Sequence, residues 1–297
     1  MNKVLGRWGL FLSLCFIWGS SFILMKLSLF DGRGMPLLSA WQVGALRIAS
    51  AGLVLLPYSI KGFRLMQGKQ LRYVLLSGLL GSFLPAFLFC LAETRLDSAV
   101  TGMLNALTPI FVLMIGAVLY RQAVPRRQIW GVGLGFLGCV FLFMAQKSGT
   151  GVQWRYGLYV LLATVCYGLN VNLVRQYLGK VPALRIAAVA FAFLIPPALA
   201  ILWVTGFFSL PLFTTKYTLA LASATLLGIA GTAVGSILFY RLVKQAGPVF
   251  ASLVTYGIPF VALGWGLVYG ESVTILQVLG LVVILVGVHL ANRLAKV

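Results

Sequence analysis

Asn105-Ala106-Leu107-Thr108-Pro109-Ile110-Phe111 stands in the middle of a long apolar run. A related stretch, Thr255-Tyr256-Gly257-Ile258-Pro259-Phe260, stands in a second run 150 positions later. Each carries a proline in mid-run, with small or polar residues just before it. Proline removes a backbone N–H and crowds the carbonyl one turn back. In hydrocarbon the carbonyl so released needs a partner, and such breaks survive only where protein or a water-lined cavity covers them. Two matching breaks, at Pro109 and Pro259, therefore predict a binding site between the two halves of the chain.

The composition around these stretches excludes most other classes. The chain has 297 residues, is 61% hydrophobic and only 9% charged, too apolar for a soluble domain or a disordered chain. A membrane-crossing helix needs about 20 mainly apolar residues, and ten such runs fit. They are placed at 8–28, 38–58, 71–92, 99–119, 127–145, 157–177, 183–205, 217–242, 249–268 and 275–293. The first follows Lys3 and Arg7 as a signal peptide would, but it is too long for an h-region and nine similar runs follow, so it is read as a mature helix. The net charge of +19 does not indicate a nucleic-acid partner, because the basic residues are scattered through short connections. Cys15, Cys90, Cys139 and Cys166 lie in apolar runs without a CxxC pair, which is packing rather than a disulfide, zinc or redox framework.

Loop charges predict the orientation. With the N-terminus inside, sixteen lysines and arginines fall on inner connections and six on outer ones, the bias of cytoplasmic loops. Asp31, Glu93, Asp97 and Glu271 all fall on the outer side. Both chain ends are thus expected in the cytoplasm. Trp8, Trp41, Trp130, Trp154 and Trp203 lie near span ends, where amphipathic rings favour the membrane interface. Trp18, Tyr167 and Tyr256 lie deep within their runs, each with a polar group to satisfy.

The halves match at an offset of about 149–150. Trp18-Gly19 aligns with Tyr167-Gly168, Lys26 with Arg175, Phe89 with Phe239, Pro109 with Pro259, and Gln128, Gly131 and Gly138 with Gln277, Gly280 and Gly287. The expected fold is an all-α membrane protein of ten transmembrane helices, built as two five-helix repeats over 1–148 and 149–297. Five is odd, so the second repeat enters the membrane inverted, which creates two pseudo-equivalent conformations around one midplane site.

Trp18-Gly19-Ser20-Ser21-Phe22 with Lys26, Arg47 in the second run, Thr108-Pro109, Pro259, and Gly270-Glu271 followed by Gln277, Gly280 and Gly287 resemble the drug/metabolite transporter superfamily, specifically its ten-helix EamA type. The resemblance spans nearly the whole chain. It implies a bacterial inner-membrane exporter or exchanger of small metabolites, with a central cavity lined by helices 1, 3, 4, 6, 8 and 9 and with helices 5 and 10 as peripheral support. Tyr120-Arg121 stands in the first half where the second has Gly270-Glu271, so the acid at that place occurs once.

The candidate substrate-binding residues are Trp18, Ser21, Arg47, Asn105, Thr108, Tyr167, Asn170, Thr255 and Tyr256. Asn105 and Thr108 are three apart and share a helix face, as do Tyr167 and Asn170. Together they offer hydrogen-bonding groups beside aromatic faces, a pocket for a small amphipathic solute such as an amino acid. The competing reading of the serine, threonine and asparagine residues is helix–helix adhesion. Arg47 lies about nine residues into its span, roughly 13 Å deep at 1.5 Å per residue. A charge there costs about 2.5–3.5 kcal/mol, so it is expected to face inward and meet carbonyls, a helix end or an anionic solute. Lys26 is expected to snorkel to the interface, Glu271 to cap the start of helix 10, and His289 to serve a helix end.

Gly133-Leu134-Gly135-Phe136-Leu137-Gly138 matches GxGxxG, but no strand precedes it, and it is read as small-residue packing. No Walker loop and no Cys/His cluster occur, so neither ATP hydrolysis, a catalytic metal nor another cofactor is expected. The expected partners are a small-molecule solute and the lipid bilayer, without nucleic acid, for a monomer or homodimer. The alternatives are a sugar-nucleotide or phosphate-ester exchanger, which needs several converging basic groups, and a non-transporting membrane sensor.

Overall fold

The computed structural model describes residues 2–66, 68–121, 126–144, 153–212 and 214–292. Ten helical rods occupy them. They are α1 (Asn2–Leu29), α2 (Ala40–Arg64), α3 (Gly68–Gly78, a π-helical turn Leu79–Phe83, then Leu84–Glu93), α4 (Ser98–Asn105 and Thr108–Tyr120) and α5 (Arg126–Met144). After them come α6 (Gln153–Tyr177), α7 (Ala183–Val204), α8 (Thr215–Leu226, a π-helical stretch Leu227–Val234, then Gly235–Ser252), α9 (Val254–Val268) and α10 (Ile275–Asn292). Seven of the rods are long and apolar enough to cross a membrane unaided, and α5, α9 and α10 are shorter apolar helices. Large apolar side chains such as Leu12, Phe16, Leu53, Trp203 and Ile275 face outward. That is the surface of an integral membrane protein, whose solvent is lipid on the outside.

Local chemistry accounts for the helix ends. Ser39 and Gln42 form a reciprocal capping box at the start of α2, and Thr274 and Gln277 exchange the same pair of bonds at the start of α10. Between α1 and α2, Asp31 accepts from the N–H groups of Arg33 and Met35. Those bonds, the Met35 N–H foremost, with the Lys216 and Arg33 charges, hold its carboxyl below the ordinary aspartate value of 3.8.

The packing pairs distant helices. α2 lies along α7, α5 along α10, α1 against α8 and α9, α6 against α3 and α4, and α4 against α9. The α5–α10 seam is built on glycine. A Cβ at Gly138 would meet the Gly280 carbonyl oxygen at 2.7 Å, and one at Gly287 would meet the Gly131 carbonyl oxygen at 2.7 Å. The glycines thus let two backbones of one chain touch, a form of packing that suits lipid, where no hydrophobic drive exists between helices.

The two proline stretches differ. In α4 the helix stops at Ala106-Leu107 and restarts at Thr108, with Pro109 in its first turn. The Asn105 carbonyl that proline leaves unpaired accepts a hydrogen bond from Thr108 Oγ1 at 2.8 Å. In α9, Pro259 instead lies inside one helix, and the interruption is at Leu253, six residues earlier. The expected break at Pro259 is thus corrected. Ile258 occupies the place of Thr108 and has no hydroxyl to compete for the backbone. The connection expected at 243–248 is helical as well, within Gly235–Ser252 and despite Gly247-Pro248.

Candidate functional site

A cavity of about 110 Å³ lies between the halves. α1 contributes Trp18, Ser21, Phe22 and Met25, and α2 contributes Arg47. α3 contributes Gly81, Ser82 and Phe89, α4 contributes Asn105, Thr108 and Val112, and α6 contributes Tyr167, Asn170 and Val171. α8 adds Gly231, Thr232, Ser236, Phe239 and Tyr240, and α9 adds Thr255 and Ile258. Eight of the nine expected binding residues therefore meet in one place. Tyr256 is the exception. It is half-buried and packs against the apolar core rather than lining the cavity.

Two aromatic pairs flank the space. Trp18 and Phe239 have ring centroids 5.2 Å apart, and Phe89 and Tyr167 lie 5.9 Å apart. The offset relates one pair to the other, Trp18 to Tyr167 and Phe239 to Phe89. The Trp18 indole N–H donates to the Gly231 carbonyl at 2.9 Å. It can lie so close to α8 because Gly235 presents no side chain, and a Cβ there would sit 2.5 Å from the indole nitrogen.

The two π-helical segments are also offset-related. They place Gly81-Ser82 and Gly231-Thr232 on the cavity wall. A π turn is wider than an α turn and is often found at functional sites. The sequence reading missed these four residues, along with Ser236 and Tyr240. The available signal was the glycine-rich texture of 228–235 and the Gly81-Ser82 pair before Pro85.

Arg47 is the one charged residue among those lining the cavity, and it is buried. Its Nε donates to Thr232 Oγ1 at 2.6 Å, and Nη1 points at the Met25 sulfur 3.9 Å away. A guanidinium carries five N–H donors, so most remain for a solute. Ser77 Oγ donates to Asn170 Oδ1 at 2.7 Å and lies 3.3 Å from the Tyr240 hydroxyl. Asn172 Nδ2 donates to the Val112 and Gly168 carbonyls and fixes α6 to α4. The cavity lining thus combines one cation, several neutral polar groups and aromatic rings.

The end of the bundle beyond Phe89 is fastened by charge. Glu271 accepts from Ser98 N–H at 2.9 Å, Ser98 Oγ at 2.6 Å and Ala99 N–H at 3.0 Å. It caps the start of α4, not of α10 as expected, because Thr274 already caps α10. Lys26 does not snorkel either. Its Nζ donates to the carbonyls of Glu93 and Leu96 at 3.3 and 3.0 Å, closing the C-terminal end of α3, where carbonyls lack partners within the helix. Burial, and then the nearby Glu271 carboxylate, hold Asp97 above the ordinary aspartate range. His289 is exposed in the last turn of α10.

Comparison with known proteins agrees with this architecture. The profile of the EamA-like transporter family matches twice, over residues 7–144 and 154–293. An uncharacterized transporter of Archaeoglobus fulgidus is 25% identical over 93% of this chain and 95% of its own. A probable terminal-alkyne amino-acid exporter of Streptantibioticus cattleyicolor is 26% identical over 96% of this chain and 93% of its own. An S-adenosylmethionine/S-adenosylhomocysteine transporter of Chlamydia muridarum is 27% identical over 86% and 82%. One crystal structure, 16% identical over 98% of both chains, superimposes with a TM-score of 0.66 and shares the fold. Ten apolar helices around one polar cavity, with both halves matched by one profile, place this chain in the EamA-like transporter family, as a secondary transporter of small molecules across a membrane and not an enzyme.

Proposed function

We propose that the protein exports or exchanges small amphipathic metabolites that carry a carboxylate, amino acids foremost, across a bacterial inner membrane. The observation that carries this reading is the buried Arg47 guanidinium, which stands in the cavity wall and forms no salt bridge with a carboxylate among the described residues. A charge left so at that depth is costly, and a carboxylate on the solute supplies its counterion. Asn105, Thr108 and Asn170 would orient the remaining polar groups, and Trp18, Phe89, Tyr167 and Phe239 would hold the apolar body. The relatives named as carrying an amino acid or S-adenosylmethionine fit, since both solute classes bear an α-carboxylate. With one cation on its wall, the cavity fits a sugar nucleotide or phosphate ester less well.

In this reading the units 1–148 and 149–297 are inverted repeats that rock around the cavity. The offset-related aromatic pairs and π segments support it. So does the packing. A shift of five helices turns the α1–α9 contact into α6–α4, and α1–α8 into α6–α3, while α2–α7 and α5–α10 map onto themselves. Both termini then lie in the cytoplasm, with the Glu271 end outward. Counterflow of radiolabelled amino acids in proteoliposomes tests the function. Exchange of amino acids but not of their decarboxylated amines is expected. Exchange of the amines alone, or of nucleotide sugars alone, would refute it.

A further inference from the structure

Glu93 has no part in the transport scheme above, yet it is the most anomalous side chain in the molecule. It ends α3 and is fully buried, and neither carboxyl oxygen has a hydrogen-bond partner. Buried polar groups are almost always satisfied, and an exception points to function. The nearest cation does not satisfy it, since the Lys26 ammonium is turned to the carbonyls of Glu93 and Leu96. Glu93 lies one helical turn beyond Phe89, whose ring meets Phe22 edge-on at 5.7 Å. Both rings line the cavity. Beyond it, Glu271 ties the start of α4 to the end of α9. Glu93 is therefore buried at the end of the bundle that Lys26 and Glu271 fasten.

We propose that Glu93 is a proton-binding site of this gate, and that the end bearing Lys26, Glu93 and Glu271 closes only when Glu93 carries a proton. An ionised carboxylate in this position would be desolvated with no hydrogen bond to offset the loss. When the end opens, water reaches the group and the proton leaves to bulk. The carboxylate is then hydrated, with the Lys26 ammonium beside it. Closure takes a proton back from bulk water and remakes the Glu271 bonds to Ser98 and Ala99. The charged groups acting on Glu93 are Lys26 from α1, Glu271 from the α9–α10 connection, Arg47 from α2 and Asp97 from the turn into α4. Cys90 neighbours it on α3 itself. α6, packed along the same segment, has no charged side chain between Arg155 and Arg175, and offers Tyr156, Tyr159, Cys166 and Tyr167 as its titratable groups.

The inference rests on the transport reading for its meaning, but its test needs no solute. Spin labels on cysteines placed at the exposed positions Arg95 and Ser272 flank the Glu271–Ser98 contact. Their separation is measured by double electron–electron resonance in lipid nanodiscs from acidic to alkaline pH. The wild-type background is expected to hold one short distance at acidic pH and to gain a longer one as pH rises. Glu93→Gln, which is neutral at every pH, is expected to keep the short distance throughout. Glu93→Asp, which keeps an acid, retains a pH response. A wild-type distance that ignores pH would overturn the proposal, as would a Glu93→Gln variant that opens with pH as the parent does. Thermal unfolding of Glu93→Gln near the parental temperature shows that the variant is folded. Failure of amino-acid counterflow would sink the transport reading and leave this distance measurement standing.

Discussion

Replacing Arg47 by glutamine separates a binding role from a structural one. The side chain makes a single good hydrogen bond to the protein, from Nε to Thr232 Oγ1, and that hydroxyl also lies 3.3 Å from the Leu227 carbonyl. Losing Arg47 therefore leaves no buried polar atom stranded, and it removes a charge that no carboxylate of the described residues pairs with. Stability is expected to hold or rise, as it does when a strained functional group is removed. Binding is expected to fall. A carboxylate held by two guanidinium donors makes charge-assisted bonds worth about 1.5–3 kcal/mol each. Glutamine retains one neutral donor pair, so a net loss of about 2.7 kcal/mol, or roughly 100-fold in affinity, follows at 1.4 kcal/mol per tenfold. Lysine keeps the charge without the fork and is expected to lose about tenfold. The assay is ligand-induced thermal stabilisation of the purified protein, comparing amino acids with their amides. The difference between acid and amide should shrink in Arg47→Gln. Equal weakening toward acid and amide, or a destabilisation of several kcal/mol with no ligand present, would show that Arg47 is a structural strut.

Four further outcomes follow from particular positions. Glu271→Ala strands two backbone N–H groups and a hydroxyl at the start of α4, and is expected to cost about 2–4 kcal/mol in detergent unfolding, while Glu271→Gln costs about 1 kcal/mol because it keeps an acceptor. Gly287→Ala forces a Cβ against the Gly131 and Gly135 backbones and should cost about 1–3 kcal/mol by the same measurement. Gly133→Ala, at an exposed position of α5 where a Cβ would meet nothing within 4 Å, should be neutral or gain up to about 1 kcal/mol from helix propensity. The hydrogen bonds to Asp31 lower its proton affinity in the folded state, so they stabilise the α1–α2 connection above the unfolded aspartate value and are lost as pH falls below 3.8. Amide exchange at Arg33 and Met35 should rise relative to the rest of the loop over that acidic range.

A great deal of this protein is legible from residue order alone. Ten apolar runs became ten helices, because a bilayer demands both length and internal hydrogen bonding of each segment, although the first, second and eighth run six to ten residues past their expected ends. The constant offset located the deep polar residues, and eight of nine reached one cavity. Side chains three or four apart on a helix share a face whatever surrounds them, so Asn105 with Thr108 and Tyr167 with Asn170 could be grouped in advance. The remainder depended on neighbours far away in the chain. Tyr256 turns to the core although Thr255 beside it faces the cavity. Glu271 found the start of α4, Lys26 the end of α3, and α5 its glycine seam with α10. Each of these partners lies between about 67 and 173 residues away. Local periodicity carries no information about contacts of that range, since they exist only once the helices are packed and each buried donor, acceptor and charge has taken what lies within reach.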